Sequence, residues 1–518
     1  MQQYRLPITC MLYLLCGLLL YPAYRFIFDD DGLGYMMVAE RLAGGDYRNA
    51  INGYWSPLHS WIVWPILKTG MNTLTAFKVS NWVIGLLILV WVHRLLNKTY
   101  LRGWLKLAIL LVCIPVTIQY AIYEVGADIL FCWLTLVYVD VVSTNDLFTN
   151  KWRNLLAGAV AALLYFSKAY AFPFFLLHFT VLQCWLYYNS IASQKKKWLL
   201  RNLLIGIGSF LLLSSPWIFA LYQKYHILTI GTSGKLNLDV HLYTRQLTTD
   251  ALVYPPPYPG SPGGWEDPWF LPYERTPGEH FFSISILTRE LRLFLTNVMR
   301  GITAFTELSF LALAVLMGMT VYCGQRSNRN GALTVFLITA LLLPFGYLLV
   351  FIEPRYIWPV NFLVLAGGAY LLQEWLCKAA ISVRWRAVCW AVFFLSFLIY
   401  PVNQLKDAAG ANKELFALAD FARERKMEGS FVVAGGEYDY SMVPKLAWLT
   451  GNSTYTLLRN DATYEEQLQS IRKHHIRYYF YRYQYARELE SFMSSSVYKA
   501  AVNVYDPALY NLLILEIK

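Results

Sequence analysis

Carboxylates at the mouth of an apolar run are the first residues in this chain that could do chemistry. Asp29, Asp30 and Asp31 follow directly on the run 7–28, which is long enough to span a bilayer. Ionised side chains beside hydrocarbon are costly unless something uses them. Asp31 could cap a helix beginning near Leu33, which accounts for one of the three. A carboxylate so placed can also take a proton from a nucleophile. Residues 35–42 are amphipathic, as a helix on a membrane surface would be.

Three more hinges between apolar runs carry charge. Glu124 and Asp128, spaced i, i+4, share a helical face and repel unless a cation, a proton or a substrate amine or hydroxyl lies near them. If Glu124 sits in water, only Asp128 needs such a partner. Lys168 either snorkels to the interface or pairs an anion. Arg355 either pairs with Glu353 or holds a phosphate, whose oxygens its guanidinium fork fits two at a time. A single cavity with an acidic and a basic wall would bring these hinges together.

Membrane helices must do the positioning. The chain has 518 residues, 57% hydrophobic and 15% charged, with 18 Trp, 38 Tyr and 30 Phe. Soluble domains are about a quarter charged, so this is a polytopic membrane protein with aromatics suited to interfacial belts. Runs near 7–28, 73–93, 104–121, 126–142, 153–167, 169–188, 199–221, 294–322, 331–351, 356–376 and 386–402 predict about eleven spans. Residues 57–67 are too short to span and predict a surface or re-entrant helix. The first run lacks a small-x-small cleavage site and is expected to remain as an anchor.

Basic residues set the orientation. Arg94, Lys98, Arg102 and Lys106, then Lys151 and Arg153, Lys195 to Lys197 and Arg201, Arg326 and Arg329, and Lys378, Arg384 and Arg386 occupy alternate loops. Those loops and the N-terminus are expected in the cytoplasm. The loops at 29–56, 122–125, 223–293 and 352–355, and everything after about 403, are then outside. The net charge of +11 belongs to these loops and is not a nucleic-acid signal. The eight cysteines form no CxxC and predict buried hydrophobes, neither a zinc site nor a disulfide framework.

The expected architecture is an all-α membrane domain over 1–404 and a small extracytoplasmic (periplasmic) α/β domain over 405–518. In the latter, helical 412–426 precedes strand-like 431–434, helical 463–475 precedes strand-like 477–482, and 500–505 with 509–517 reads as a hairpin. Gly435-Gly436 is too little for a nucleotide fingerprint. Within loop 223–293, the Pro/Gly/aromatic stretch 254–265 excludes helix and central strand. Its aromatics argue for an ordered cover over the outer cavity rather than a disordered linker.

The order Asp30-Asp31, Tyr35, Ala39, Leu42, Gly44-Gly45, then Gly53-Tyr54 and Ser56-Pro57-Leu58 resembles the first outer loop of GT-C membrane glycosyltransferases. That superfamily includes protein O-mannosyltransferases, the aminoarabinose transferase of lipid A and mycobacterial arabinofuranosyltransferases. Asp128, with Glu124 near it, is similar to the acidic residue heading their fourth span. Lys168 resembles a Lys of the mannosyltransferase-like members, and Arg355-Tyr356 with Pro359 is similar to their late outer loop. The resemblance covers about 1–400 in topology but only four short patches in motif.

It implies a GT-C fold in the cytoplasmic (inner) membrane and transfer of a sugar, with inversion, from a polyprenyl-phosphate carrier. The acceptor would be a hydroxyl or amine of a glycan, lipid or protein outside the membrane. It implies catalytic Asp30 or Asp31, donor-phosphate binding by Arg355 and Lys168, and substrate binding by Glu124, Asp128, Tyr35, Tyr54 and Tyr356. No cofactor is implied, since members using lipid-monophosphate donors need no catalytic metal; oligosaccharyltransferases differ. Three Asp stand where the mannosyltransferases have Asp-Glu. Asp30 aligns when Tyr35, Ala39 and Leu42 are in register, Asp31 fits the aminoarabinose-transferase spacing, and Asp29 is the structural one. A transporter or flippase of lipid-linked sugars would also explain the spans, but it predicts ionisable residues near the midplane. A scaffold would leave Asp29 to Asp31 and Arg355 without a role.

Overall fold

The computed structural model describes residues 4–189, 195–243, 246–275, 283–325, 331–434, 439–459, 462–483, 485–504 and 511–518. Arg326, Arg329, Gly435, Gly436, Tyr505 and Leu509, on which parts of the loop, turn and hairpin expectations rest, lie outside the described residues.

The chain is mostly helical. The first half carries α1 (Arg5–Tyr24), α2 (Asp30–Gly44), α3 (Leu58–Leu67), α4 (Thr73–Asn97), α5 (Gly103–Tyr123), α6 (Asp128–Val142), α7 (Lys151–Ser167), α8 (Ala171–Asn189) and α9 (Lys195–Tyr225). After the long loop come α10 (Ile284–Leu308), α11 (Ala312–Gly324), α12 (Gly331–Leu348), α13 (Trp358–Lys378) and α14 (Val383–Ala408). Among the described residues eight helices are long and apolar enough to cross a membrane, and the pair α10 and α11 makes a ninth if it is one span.

About eleven spans were expected, and the difference lies in three places. The predicted runs 126–142 and 153–167 are helices α6 and α7, of 15 and 17 residues. The predicted span 294–322 is broken by 96° between α10 and α11. The break is stabilised by Ser309, whose hydroxyl accepts from the Leu311 N–H at 3.1 Å and lies 2.7 Å from the Ser396 hydroxyl on α14. Several buried polar side chains inside the bundle pair with one another, which offsets the cost of burying them in an apolar medium. Gln183 donates to Asn154 at 2.7 Å, and His178 lies between Tyr138 and Thr339 at 3.0 and 2.9 Å.

The C-terminal part holds α15 (Lys413–Glu424), α16 (Asp439–Thr450) and α17 (Tyr464–Lys473) around a sheet of β1 (Val253–Tyr254), β2 (Ser430–Ala434), β3 (Ser453–Leu457), β4 (Tyr478–Arg482), β5 (Ala501–Asn503) and β6 (Leu512–Ile517). The strand order is β1-β3-β2-β4-β6-β5. β2 runs parallel to β3 and β4, whereas β6 is antiparallel to β4 and β5. α16 and β3 had no counterpart in the sequence reading, because Pro444 inside α16 reads as a breaker.

The long loop is stitched to both parts. Its strand β1 pairs antiparallel with β3. Glu266 takes two bonds from Arg41 of α2, at 2.7 and 3.2 Å, and the Trp55 indole donates to the Trp265 carbonyl at 3.0 Å. Buried Asp267 accepts from Tyr225 at 2.8 Å and Tyr258 at 2.6 Å, with Lys224 2.9 Å away. The stretch is therefore ordered, as expected, but it packs on α2 and Trp55, and none of its residues lines the cavity over Asp29 to Asp31 that it was expected to cover.

Candidate active site

α2 starts where the first apolar helix ends. Asp29 caps it in an extended conformation, its carboxylate accepting from the Gly32 N–H at 3.2 Å. The cap is thus Asp29, not Asp31, and the helix begins at Asp30 rather than near Leu33. The other Asp29 oxygen accepts from the Val125 N–H at 3.2 Å, which ties the first loop to the 124–128 turn. The helix ends at Gly45, whose φ of 83° a residue with a Cβ adopts only at a cost.

Asp30 and Asp31 are consecutive residues in the first turn of α2, and they face different cations. Asp31 accepts from Arg355 at 2.6 Å. Asp30 lies 2.8 Å from the Lys445 ammonium, carried by α16.

Arg355 stands on a single 3-10 turn, Pro354–Ile357, that opens α13. Its approach to the 124–128 turn is fixed by packing below it. Tyr120 stacks on Trp358 at 3.9 Å and accepts from Asn361 at 2.9 Å, fastening α5 to α13. Asn81 of α4 donates to the Glu124 carbonyl at 2.7 Å.

Five carboxylates consequently surround one guanidinium. Besides Asp31, these are Glu353 at 2.5 Å, Glu124 at 2.9 Å, Asp29 at 3.8 Å and Asp128 at 3.9 Å. The pairing of Arg355 with Glu353 is real, but it is one contact of five. Glu124 and Asp128 are both buried, so Glu124 is not simply in water. Burial raises the Glu124 carboxyl well above its ordinary range, against the pull of Arg355. Burial, then Asp31, raises Asp29 to about 6, opposed by Arg355 and two backbone N–H groups.

Lys168 does not snorkel. It is ion-paired with Asp128, and its ammonium lies 3.8 Å from the centre of the Tyr356 ring. Tyr356 stacks on Tyr347, and Tyr347 on Tyr170, at 4.7 and 3.7 Å. Tyr35 packs its ring on Trp55 at 5.3 Å. Tyr54 packs on Trp55 and on Trp265 of the long loop, and its hydroxyl donates to Asn237 at 3.3 Å.

A cavity of about 390 Å³ opens over this cluster. Its charged lining is Asp29, Asp30, Asp31, Glu124, Glu353, Arg355 and Lys445. Asp128, Lys168, Tyr35, Tyr54 and Tyr356 do not line it. Lys445 was missed from sequence, where nothing in Val443-Pro444-Lys445 marks it. Among the described residues no group of three or more His, Cys, Asp or Glu is arranged to hold a metal ion; these carboxylates converge on a guanidinium.

No family model matches the sequence, and no curated protein matches it. Solved structures match by fold. ArnT from Cupriavidus metallidurans in the apo state gives a TM-score of 0.57 at 12% identity, covering 98% of this chain and 97% of that one. The same protein bound to undecaprenyl phosphate gives 0.54 at 12% identity, with the same coverage. The oligosaccharyltransferase AglB from Archaeoglobus fulgidus, in complex with an inhibitory peptide and a dolichol-phosphate, gives 0.50 at 12% identity, over 93% of this chain and 69% of that one. These are GT-C glycosyltransferases, and the chain has the GT-C fold.

Proposed function

We propose that this chain is an inverting glycosyltransferase that moves a sugar from a polyprenyl-phosphate carrier to an acceptor hydroxyl or amine on the outer side of the cytoplasmic membrane. One observation carries the reading. Two adjacent carboxylates of one helix turn, Asp30 and Asp31, share a cavity with Arg355, a cation whose three nitrogens are all presented to oxygens. The fold neighbours bound to undecaprenyl phosphate and dolichol-phosphate support a lipid-linked donor.

The donor phosphate takes the place of carboxylates on the Arg355 fork, which suits two phosphate oxygens at once. The acceptor attacks the anomeric carbon from the face opposite the phosphate. Asp30 is the base of this reading: it lines the cavity and its ion pair is with Lys445 rather than with Arg355, the cation assigned to phosphate. It takes the acceptor proton as the new glycosidic bond forms. The bond from anomeric carbon to phosphate oxygen breaks, its electron pair leaves with the lipid phosphate, and Arg355 stabilises that charge. One displacement inverts the centre. Asp31 and Glu124 hold Arg355 in place before the donor arrives, and Lys168, anchored by Asp128, adds positive charge beside Tyr356.

The test is direct. Purified protein is incubated with a panel of polyprenyl-phosphate sugars, and free lipid phosphate is measured. Release with at least one donor, dependent on an acceptor, is expected. No release from any donor, together with movement of lipid-linked sugar across vesicles, would establish the transporter instead.

A further inference from the structure

The C-terminal domain lines the cavity with Ala411, Asn412 and one charged side chain, Lys445. Its platform is fixed. The Trp448 indole, one turn further along α16, donates to Glu40 of α2 at 2.9 Å, and Glu40 also accepts from Thr73 at 2.7 Å. Phe28, the residue before the three Asp, packs against Trp448 at 5.6 Å and Phe416 at 6.2 Å. Its carbonyl accepts from Asn412 at 2.8 Å. Lys445 itself is only 11% exposed, against 44% for the Asp30 side chain it pairs with. A cation that is mostly out of water needs a fixed counter-charge. A Lys whose stem is already packed loses little further freedom in providing one.

We infer that Lys445 is a positioning residue through which the C-terminal domain orients the base, Asp30. This rests on the transferase reading above. Lys445 engages one Asp30 oxygen, Oδ1, and Oδ2 takes no hydrogen bond from any described residue, so it is left to meet an acceptor. The ammonium also offsets the repulsion of the acidic wall. The other titratable groups lining the cavity are Asp29, Asp31, Tyr123, Glu124, Glu353 and Arg355, and the acids outnumber the bases. Without Lys445, Asp30 is expected to lose its fixed orientation.

Lipid-phosphate release is measured against donor concentration for wild type, Lys445→Met and Lys445→Arg. Lys445→Met should lower kcat by roughly tenfold or more and leave the KM for donor unchanged. Lys445→Arg, which keeps a cation beside Asp30, should recover part of kcat with the same KM for donor. If Lys445→Met fails to fold, Lys445→Gln carries the same expectation. A folded neutral variant with the wild-type kcat, or one whose loss lies wholly in the KM for donor, overturns the assignment. Wild-type protein that releases no lipid phosphate from any donor overturns the transferase reading itself, whereas an active wild type with an indifferent Lys445 overturns only this inference.

Discussion

Arg355 donates to Asp31 at 2.6 Å across the mouth of the cavity, so the cation proposed to hold the donor phosphate is held by a carboxylate before the donor arrives. Phosphate and Asp31 then compete for the same nitrogen. Asp31→Asn removes the charge of the competitor and keeps its shape. Undecaprenyl phosphate should bind this variant more tightly than wild type, while turnover falls because Arg355 is less well placed. Weaker lipid-phosphate binding in Asp31→Asn would mean that Asp31 helps to build the phosphate site rather than guard it.

Arg355 presents three nitrogens to three acids: Nη2 to Asp31, Nη1 to Glu124 and Nε to Glu353. A lysine has one charged nitrogen and cannot copy this fork. Each lost charge-assisted bond is worth about 1.5–3 kcal/mol, roughly ten- to a hundredfold in Kd. Arg355→Lys should therefore weaken donor binding by about tenfold or more, in a protein that still inserts and folds. Equal donor binding in variant and wild type would return Arg355 to a purely structural role.

Charged residues at the ends of apolar runs were legible in the sequence because hydrocarbon makes them conspicuous. Asp29, Asp31, Glu124, Asp128 and Arg355 stood out this way, and they lie within one cluster. What separates Asp29 from its neighbours was not legible, since a cap is defined by backbone angles and by the Gly32 N–H, not by residue type. The bend between α10 and α11 was hidden because apolar composition runs through residues 309–311, and Ser309 is a weak breaker whose partner, Ser396, is far along the chain. Lys445 was invisible for a related reason. Its counter-charge, Asp30, lies in the opposite part of the chain, and no local pattern joins them.

Asp29 should show itself through stability. Its folded pKa is about 6, above the ordinary value near 3.8, because burial and Asp31 outweigh Arg355 and the backbone donors. The folded state then binds the proton more tightly than the unfolded chain. The stabilising contribution is full at acid pH and is lost as pH rises toward 6. Asparagine can still cap α2 but never charges. Thermal unfolding in detergent should find Asp29→Asn and wild type together near pH ~4 and the variant more stable above pH ~6. A variant less stable than wild type at neutral pH would show that the Asp29 charge is needed by Arg355.

The basic loops predict that the N-terminus is cytoplasmic and the C-terminal domain outside. A reporter active only outside the cytoplasm, fused after Lys518, should be active, and a cytoplasmic reporter at the same point silent. The reverse result would put the cavity, with Asp30, Arg355 and Lys445, on the cytoplasmic face, where the proposed acceptor is not.

The sharpest test of mechanism is Asp30. It is the one member of the acidic triplet whose partner, Lys445, is neither the cap of α2 nor the cation assigned to phosphate. Asparagine at this position keeps the size and a carbonyl oxygen near Lys445 but cannot take a proton. Loss of general-base help should cost on the order of a hundredfold or more in turnover. Donor affinity should persist, because Arg355 and its contacts are untouched. Across the triplet, Asp30→Asn is expected to be nearly inactive, Asp31→Asn impaired and Asp29→Asn only mildly affected in kcat. Near wild-type turnover in both Asp30→Asn and Asp31→Asn would remove a carboxylate base from the mechanism. The acceptor proton would then have to leave by another route, and the transporter reading would gain what the transferase reading lost.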